Sequence, residues 1–382
     1  MSKTPSALII TVLAFSIFFG ACKRSDDGRI HLGVILSLTG AAAPYGQDNL
    51  HGLQLALKLV NAQGGVHGKK VTLDVQDTAG DPAQAISIAK RFAADSSVVA
   101  LLGPTRTGDT LAVAKILPQL SIPMMSVGST GDWRSSAGEF NEWTFRSTRV
   151  DTYLVPALLQ AARDRLKIKR LAVIYTSNDD WSVSVLKVYQ QAAAKLGLQI
   201  VDIESQTAGD PDRSAQLTKI KNSNPDALII NTLSTDAPSI AFEARRLGIR
   251  SRFLGTAGFA SPETWKLAPP GTLDGTWVAD NYYPDSPRPA VRSFVDQYRT
   301  TFGGEPSAYA AYAYDGLRLV ADACRRAADP FNRRMVRDAL GSTRDFDGVL
   351  GSLTYHDKGD SDKIPFILEI RGQNLVPVGT PR

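Results

Sequence analysis

The chain has 382 residues and a mass of 41.2 kDa, enough for about two or three domains with cores of their own. Hydrophobic residues make up 43% and charged residues 21%, and neither glycine (31) nor proline (21) is enriched, which excludes disordered, collagen-like and low-complexity classes. The formal charge is +5, with basic residues in scattered pairs such as Arg245 and Arg246, so no nucleic-acid-binding surface is predicted.

The N-terminus has the pattern of a secretory signal. Lys3 precedes an apolar stretch over residues 7–19, and two small residues come just before Cys22. This stretch is shorter than the roughly 20 residues of a spanning helix, and no later stretch is long and apolar enough. We therefore predict a signal peptide over residues 1–21 and no transmembrane helix in the mature chain.

The cysteine that ends this stretch resembles that of a bacterial lipobox, in which Cys22 becomes the first residue and carries the lipid. Phe19 departs from the aliphatic residue usual there, and the alternative is an ordinary cleaved signal with an incidental cysteine. We favour lipid anchoring, with residues 22–28 as a short polar tether. The expected location is then the cell envelope, periplasmic or extracytoplasmic, with the lipid in a bacterial membrane.

From Ile30 onward, short β-branched runs alternate with longer amphipathic ones. Strands are predicted at IHLGVIL, VTLDVQD, VVALLG and IPMMSV, and in a second cycle at RLAVIY, QIVDIE, DALIIN and RFLG. Helices are predicted over residues 47–61, 82–94, 109–119, 183–196, 214–222 and 237–247. Strands recur about every 25 to 30 residues, which is the length of a βα crossover unit. The fold class predicted is therefore α/β, with two doubly wound lobes.

The pattern changes after Gly275. TWVADNYY predicts a strand, and the chain ends in β-rich segments joined by turns. Helices are predicted over residues 289–302, 308–328 and 331–340. Cys324 lies on the apolar face of the second of these helices, so we predict a buried small hydrophobic residue there and no disulfide with Cys22.

Motifs of catalysis and of metal binding are missing from the sequence. The histidines His31, His51, His67 and His356 are widely spaced and show no metal-ligand spacing. No nucleophile elbow, no Walker A loop and no G-x-G-x-x-G after the first strand is present. We therefore predict that the protein is not an enzyme and that it holds no metal or cofactor.

Three motifs near the start of the first lobe are specific. They are TG, YG and G between residues 39 and 52, the loop NAQGGVHGKK, and D…DP at the next helix. They resemble type I periplasmic binding proteins of the leucine/isoleucine/valine-binding group, in which the loop reads INAxGGVxGxK. GPTRTGDTLAVAKILPQLSIPMMSVGST and EARRLGIRSRFLGTAGF continue the resemblance, which thus covers nearly the whole mature chain.

The resemblance implies two lobes joined by a three-stranded hinge. The lobes predicted are residues 29–147 with 281–350, and residues 148–280 with 351–382. The three crossings are expected near residues 144–149, 277–283 and 349–355. Ligands of open parallel sheets bind outside the carboxyl ends of the strands, which places the loops after VVALLG and IPMMSV at the cleft.

The resemblance also places ligand-binding groups in these two loops. Thr107 matches a hydroxyl that binds the ligand carboxylate, although a threonine there is also suited to capping a helix from Gly108. Gly128 matches a backbone carbonyl, and Thr130 matches a hydroxyl and an amide. The alternative for these two residues is a plain turn over residues 128–131.

Three aromatic residues match positions at the walls of the family's cleft. Tyr45 follows the first strand, Trp181 stands at the cleft edge of the second lobe, and Tyr309 occupies a position that often supplies an apolar wall. Packing at the lobe interface is the alternative for Tyr45 and Trp181, and helix core is the alternative for Tyr309.

One departure from the family concerns the ligand ammonium, because Ala257 stands where amino-acid binders place a carboxylate. A buried cation without a partner is costly, so either another acid serves or the ligand lacks an ammonium. The candidate acids are Asp179, Asp180 and Asp236, of which Asp236 is also suited to capping the next helix. The family's disulfide cysteines are replaced as well, by Gly80 and Arg106.

These observations predict the solute-binding lipoprotein of an ABC importer, which captures a branched-chain or related amino acid, or a similar small carboxylate or amide, by hinge closure. The alternative is a sensor of the same fold that signals ligand occupancy to a partner. The partners expected are the small-molecule ligand, ABC permease subunits and, through the lipid alone, a membrane. We expect a monomer that binds no nucleic acid.

Overall fold

The computed structural model describes residues 27–131, 141–259, 261–355 and 365–378. The predicted signal peptide, Cys22 and His356 lie outside the described residues. Within the described residues, no helix is long and apolar enough to cross a membrane.

The first half of the chain forms one parallel sheet. Its elements are β1 (Ile30–Leu36), α1 (Ala43–Ala62), β2 (Val71–Asp77), α2 (Pro82–Ala94), β3 (Val98–Leu102), α3 (Thr107–Ala114), α4 (Leu117–Leu120), β4 (Met124–Ser126) and β5 (Thr144–Arg146). The strand order is β2-β1-β3-β4-β5, with every pair parallel. All residues of β3 are buried, as expected for a parallel strand covered on both faces.

The middle of the chain builds a second, mostly parallel sheet. Its elements are α5 (Asp151–Leu166), β6 (Arg170–Thr176), α6 (Asp180–Leu196), β7 (Gln199–Gln206), α7 (Ser214–Asn222), β8 (Ala227–Asn231), α8 (Ala237–Arg246), β9 (Arg252–Gly255) and β10 (Trp277–Asp280). Short 3-10 helices lie at Ala257–Phe259 and Pro262–Leu267.

Alternate residues of β6 enter different hydrophobic cores. Leu171 and Val173 share a core with residues of α5 and α6, whereas Ala172 and Ile174 share one with residues of α7 and α8. Successive side chains of a strand point to opposite faces, so this sheet is covered by helices on both faces. The second lobe is therefore doubly wound, as predicted.

The last part of the chain contributes helices to the first lobe, strands to the second sheet and a separate two-stranded sheet. Its elements are α9 (Pro289–Phe302), α10 (Ala308–Arg326), α11 (Arg333–Gly341), β11 (Phe346–Gly348), β12 (Gly351–Leu353), β13 (Phe366–Arg371) and β14 (Asn374–Pro377). α10 packs along α1, and both α10 and α11 contact β3 of the first sheet. β11 and β12 pair with each other in the separate sheet, whereas β13 and β14 extend the second sheet, whose order is β14-β13-β10-β9-β8-β6-β7. Cys324 is buried in α10.

The chain passes between the two sheets near the expected places. It leaves the first sheet after β5, and after β10 it returns to the helices that pack on the first lobe. A later passage follows β12, where part of the chain lies outside the described residues. The fold class predicted from the sequence, two α/β lobes with parallel sheets, is confirmed. The exact lobe boundaries, at residues 147/148, 280/281 and 350/351, stay a prediction.

The largest differences from the sequence prediction concern three helical regions, and other helix ends differ by up to three residues. α1 begins at Ala43, four residues early, because Pro44 is well suited to the first turn of a helix. The helix predicted over residues 109–119 is divided into α3 and α4, and Pro118 in the first turn of α4 cannot continue a helix from before it. α5 was not predicted as a helix, and it contains Pro156 in its interior.

Candidate functional site

A cavity of about 20 Å³ lies between the two sheets. The first lobe supplies loops that follow β3 and β4, and the second lobe supplies loops that follow β6 and β8, which places the cavity at the carboxyl ends of both sheets. Its lining residues are Tyr45, Thr105, Arg106, Thr107, Gly128, Thr130, Asp179, Trp181, Leu233 and Tyr309. The structure therefore brings six of the seven predicted ligand-binding residues together.

Thr107 is the first residue of α3, and Arg106 is the capping residue before it. The Thr107 side chain makes no capping bond, and its hydroxyl lies 3.1 Å from the Ser129 hydroxyl on the loop after β4. The alternative that Thr107 caps a helix from Gly108 is therefore wrong. Thr107 thus brings a hydroxyl and the start of a helix to the cavity lining, a combination suited to an anion.

The loop after β4 runs against the loop after β3. A Cβ atom at Gly128 would lie 2.3 Å from the Thr105 carbonyl oxygen, so this position tolerates only glycine without a shift of the backbone. Thr130 is 3% exposed, and its carbonyl oxygen accepts a hydrogen bond of 2.9 Å from the Asp151 amide at the start of α5. Gly128 and Thr130 are thus part of the cavity wall, on a loop without a regular turn.

Tyr45 and Tyr309 form an aromatic wall. Their rings stack with centroids 4.4 Å apart and planes 28° apart, and both side chains are buried. The Tyr45 hydroxyl accepts a hydrogen bond from the Ser234 amide, which belongs to the other lobe. Burial raises the pKa of both phenols, so they are neutral at physiological pH. Tyr45 therefore serves both of its predicted alternatives, cavity wall and lobe contact.

Trp181 lies in the first turn of α6 and reaches across the cleft. Its indole N–H donates to the Thr130 hydroxyl at 2.9 Å and to Asp151 Oδ2 at 2.8 Å. Burial raises the pKa of Asp151 to about 6, although the bonds from Thr130 and Trp181 oppose this. Trp181 thus lines the cavity and also packs at the lobe interface.

Asp179 is the carboxylate that the structure brings to the cavity. It accepts the Ser182 amide at 2.9 Å as the capping residue of α6, and it forms a 2.6 Å ion pair with Arg106 of the first lobe. Its side chain is 3% exposed and that of Arg106 is 23% exposed. The two opposite charges therefore compensate each other across the cleft.

Asp236 does not line the cavity. Its carboxylate accepts hydrogen bonds from Gln206 and from the Gly209 amide, both at 3.2 Å, and it pairs with Arg213 at 3.4 Å, all within the second lobe. It occupies the capping position of α8, but its side chain makes no capping bond. Asp180 is exposed and also lies outside the lining. Neither acid is placed to contact a ligand there.

Gly80 and Arg106, at the two positions where the family has its disulfide, are in contact. Arg106 Nη1 donates to the Gly80 carbonyl oxygen at 2.8 Å. Gly80 has a φ of +75°, a conformation that favours glycine. The link between these two loops is therefore kept by a hydrogen bond in place of a covalent bond.

Sequence reasoning did not assign Thr105, Arg106, Leu233 or Asp151 to the site. Thr105 and Arg106 directly precede Thr107, so their position after β3 was a usable signal. Leu233 holds the corresponding position after β8. The burial of Asp151 beneath Trp181 depends on the meeting of the lobes, for which the sequence carries no local pattern.

Residues 29–363 match the family described as periplasmic binding protein. The Leu/Ile/Val-binding protein homolog 1 of Brucella suis biovar 1 is 29% identical over 355 residues, which cover 92% of this chain and 92% of that protein.

Solved structures of similar proteins have the same fold. One is the branched-chain amino acid transporter substrate-binding protein LivJ of Streptococcus pneumoniae in complex with isoleucine, with a TM-score of 0.84 and 26% identity. It is matched over 92% of this chain and 100% of its own. Another is the leucine-binding protein LivK of Thermotoga maritima, with a TM-score of 0.85 and 26% identity. The match covers 92% of this chain and 98% of LivK.

Proposed function

The chain belongs to the family of periplasmic binding proteins, and we propose that it is the solute-binding component of an ABC importer. This is a family of solute-binding proteins, and membership implies a location outside the cytoplasm. The observation that carries the proposal is the cavity at the carboxyl ends of both sheets, with walls from both lobes. The partners implied are ABC permease subunits, which receive the solute.

We propose that the ligand is a branched-chain or related amino acid, or a similar small carboxylate or amide. The relatives named above are Leu/Ile/Val-binding and leucine-binding proteins, and one is solved with isoleucine. Thr107 and the start of α3 offer a hydroxyl and amides to a carboxylate. Tyr45, Trp181 and Tyr309 offer apolar surface to the rest of the ligand.

The mechanism proposed is closure of the two lobes on the solute, without a covalent step. Three contacts join the lobes at the cavity: Tyr45 with Ser234, Arg106 with Asp179, and Thr130 with Trp181. A cavity of about 20 Å³ has room for about one water molecule, so an amino acid enters only when the lobes separate. The two walls then close over the ligand.

A ligand screen followed by scattering tests this function. Amino acids, carboxylates and amides are added singly to the purified protein, and its thermal unfolding is recorded. A ligand at about 100 times its dissociation constant stabilises the native state by about 2.7 kcal/mol. The radius of gyration should fall when that ligand binds. A tightly bound ligand that leaves the radius unchanged would exclude the hinge mechanism.

We further propose that the mature protein is anchored through a lipid on Cys22. The support is the order of a charged residue, an apolar stretch and small residues that ends at this cysteine. The Cys22→Ala variant should then move from the membrane fraction to the soluble fraction. A wild-type protein that is already soluble, with a mature N-terminus other than residue 22, would contradict the anchor.

A further inference from the structure

Trp181 already occupies two acceptors on one side of the cavity, while Asp151 Oδ1, buried and without a hydrogen-bond partner among the described residues, belongs to a residue outside the cavity lining. Its single indole N–H is shared between the Thr130 hydroxyl and Asp151 Oδ2, at 2.9 and 2.8 Å. Trp181 is 6% exposed, Thr130 3% and Asp151 1%, so the bonds form away from water. A donor brought by a ligand to this side would compete with the indole for the same oxygens.

The described residues that line the cavity include no acid without a positively charged partner. Among the described lining residues Asp179 is the only acid, and its two oxygens accept from the Ser182 amide and from the Arg106 guanidinium. Position 257, where the resemblance leads us to expect a carboxylate, is an alanine in this chain. An ammonium carries three donors and one positive charge, and burial of such a group without a partner is strongly unfavourable.

From these two observations we infer that the solute is a small carboxylate without a charged amino group. The inference rests on the proposed function and names its substrate class. Thr107 and the amides of α3 bind the carboxylate, while the stacked rings of Tyr45 and Tyr309 contact an apolar body. The Trp181 indole closes the side of the cavity formed by Thr130.

Calorimetry with matched ligand pairs tests this inference. Leucine is compared with 4-methylpentanoate and phenylalanine with 3-phenylpropanoate, since each acid lacks only the amino group of its partner. We expect the acid of at least one pair to bind at least tenfold more tightly than the amino acid. Amino acids that bind as well as their acids, or better, would overturn the inference and leave the proposed function in place. Absence of binding in both series would overturn the inference, and the broader ligand screen would then decide on the proposed function.

A substitution of Trp181 tests the role of the indole itself. Trp181→Phe keeps an aromatic ring in the wall and frees the Thr130 hydroxyl and Asp151 Oδ2 from the indole N–H. The ratio of the affinity for the acid to the affinity for its amino acid should therefore fall by about tenfold. The control is Trp265→Phe, which removes another buried indole N–H whose partner is the Phe259 carbonyl oxygen, remote from the cavity. An unchanged preference in Trp181→Phe would overturn the role of the indole. A preference for amino acids that Asp151→Asn abolishes would show a buried anchor there and overturn the inference.

Discussion

The two walls of the cavity are built from different chemistry. The wall from the first lobe combines two loops that lie against each other, Thr105 to Thr107 and Gly128 to Thr130, with the stacked rings of Tyr45 and Tyr309. The wall from the second lobe consists of Asp179, Trp181 and Leu233, of which Asp179 and Trp181 bond to the first lobe. Close backbone contact holds the two loops of the first wall together, whereas Asp179 and Trp181 make their bonds to the first wall only when the lobes meet.

This difference also separates two acidic residues in equivalent positions. Asp179 and Asp236 each precede a helix that follows a strand of the second sheet. Asp179 pairs with Arg106 across the cleft, and Asp236 pairs with Arg213 inside its own lobe. The two acids therefore occupy the same position relative to strand and helix. Asp179 belongs to the cleft because its arginine partner lies on the other lobe, and Asp236 does not because its arginine partner lies on its own lobe.

The largest effect is expected at the first wall. Thr107→Ala removes a hydroxyl that we place on the ligand carboxylate, and a hydrogen bond to a charged group contributes about 1.5 to 3 kcal/mol. Carboxylate binding should weaken by roughly ten- to a hundredfold in calorimetry. Thr107→Ser, which keeps the hydroxyl, should bind nearly as wild type. Equal affinity in wild type and Thr107→Ala would refute the carboxylate assignment.

A smaller effect is expected at the ion pair that joins the walls. Arg106→Gln removes a bond that only the closed form makes, so ligand affinity should fall about tenfold, which corresponds to about 1.4 kcal/mol. The ligand-free protein should also show a larger scattering radius. Arg213→Gln is the matched control, because its pair lies within one lobe. An equal loss of ligand affinity in Arg106→Gln and Arg213→Gln would show that the ion pair across the cleft does not specifically stabilise the closed form.

The sequence predicted the first wall more completely than the second. Thr107, Gly128 and Thr130 follow strands directly, and parallel strands fix where such loops lie. Trp181 was placed correctly, but its bonds to Thr130 and Asp151 join residues about 30 to 50 positions away, and no local pattern encodes them. The same holds for the pairing of Asp236 with Arg213. The strands and most helices were predictable because their apolar periodicity is local.

The third test concerns Asp280, which ends β10 where the chain passes between the lobes. Burial raises its pKa to about 6, although bonds from the Tyr312 hydroxyl and two backbone amides oppose this. The pKa of an unfolded aspartate is about 3.9, so the folded state binds more protons between about pH 4 and 6. Its contribution to stability therefore falls as the pH rises through this window, by at most about 3 kcal/mol.

Asp280→Asn should remove the part of the pH dependence of stability that Asp280 contributes, because an amide does not titrate. Thermal unfolding midpoints measured from pH 4 to 7 should fall less steeply in the variant than in wild type. The control is Asp296→Asn, a substitution at an exposed residue of α9, which should follow the wild-type curve. Parallel curves for wild type and Asp280→Asn would show that Asp280 does not titrate in this range.

The smallest effect is expected at Asp236, the predicted site residue that the structure keeps out of the cavity. Asp236→Asn retains an acceptor for Gln206 and Gly209 and loses only the charge opposite Arg213, so the unfolding midpoint should fall slightly. Ligand affinity should change by less than about twofold, since no ligand contact is removed. Asp179→Asn is the comparison, and it should weaken binding because the cross-cleft pair with Arg106 is lost. Calorimetry measures the affinity of both variants for the same carboxylate ligand. An affinity loss in Asp236→Asn as large as that in Asp179→Asn would mean that the second wall extends to Asp236 when the ligand is bound.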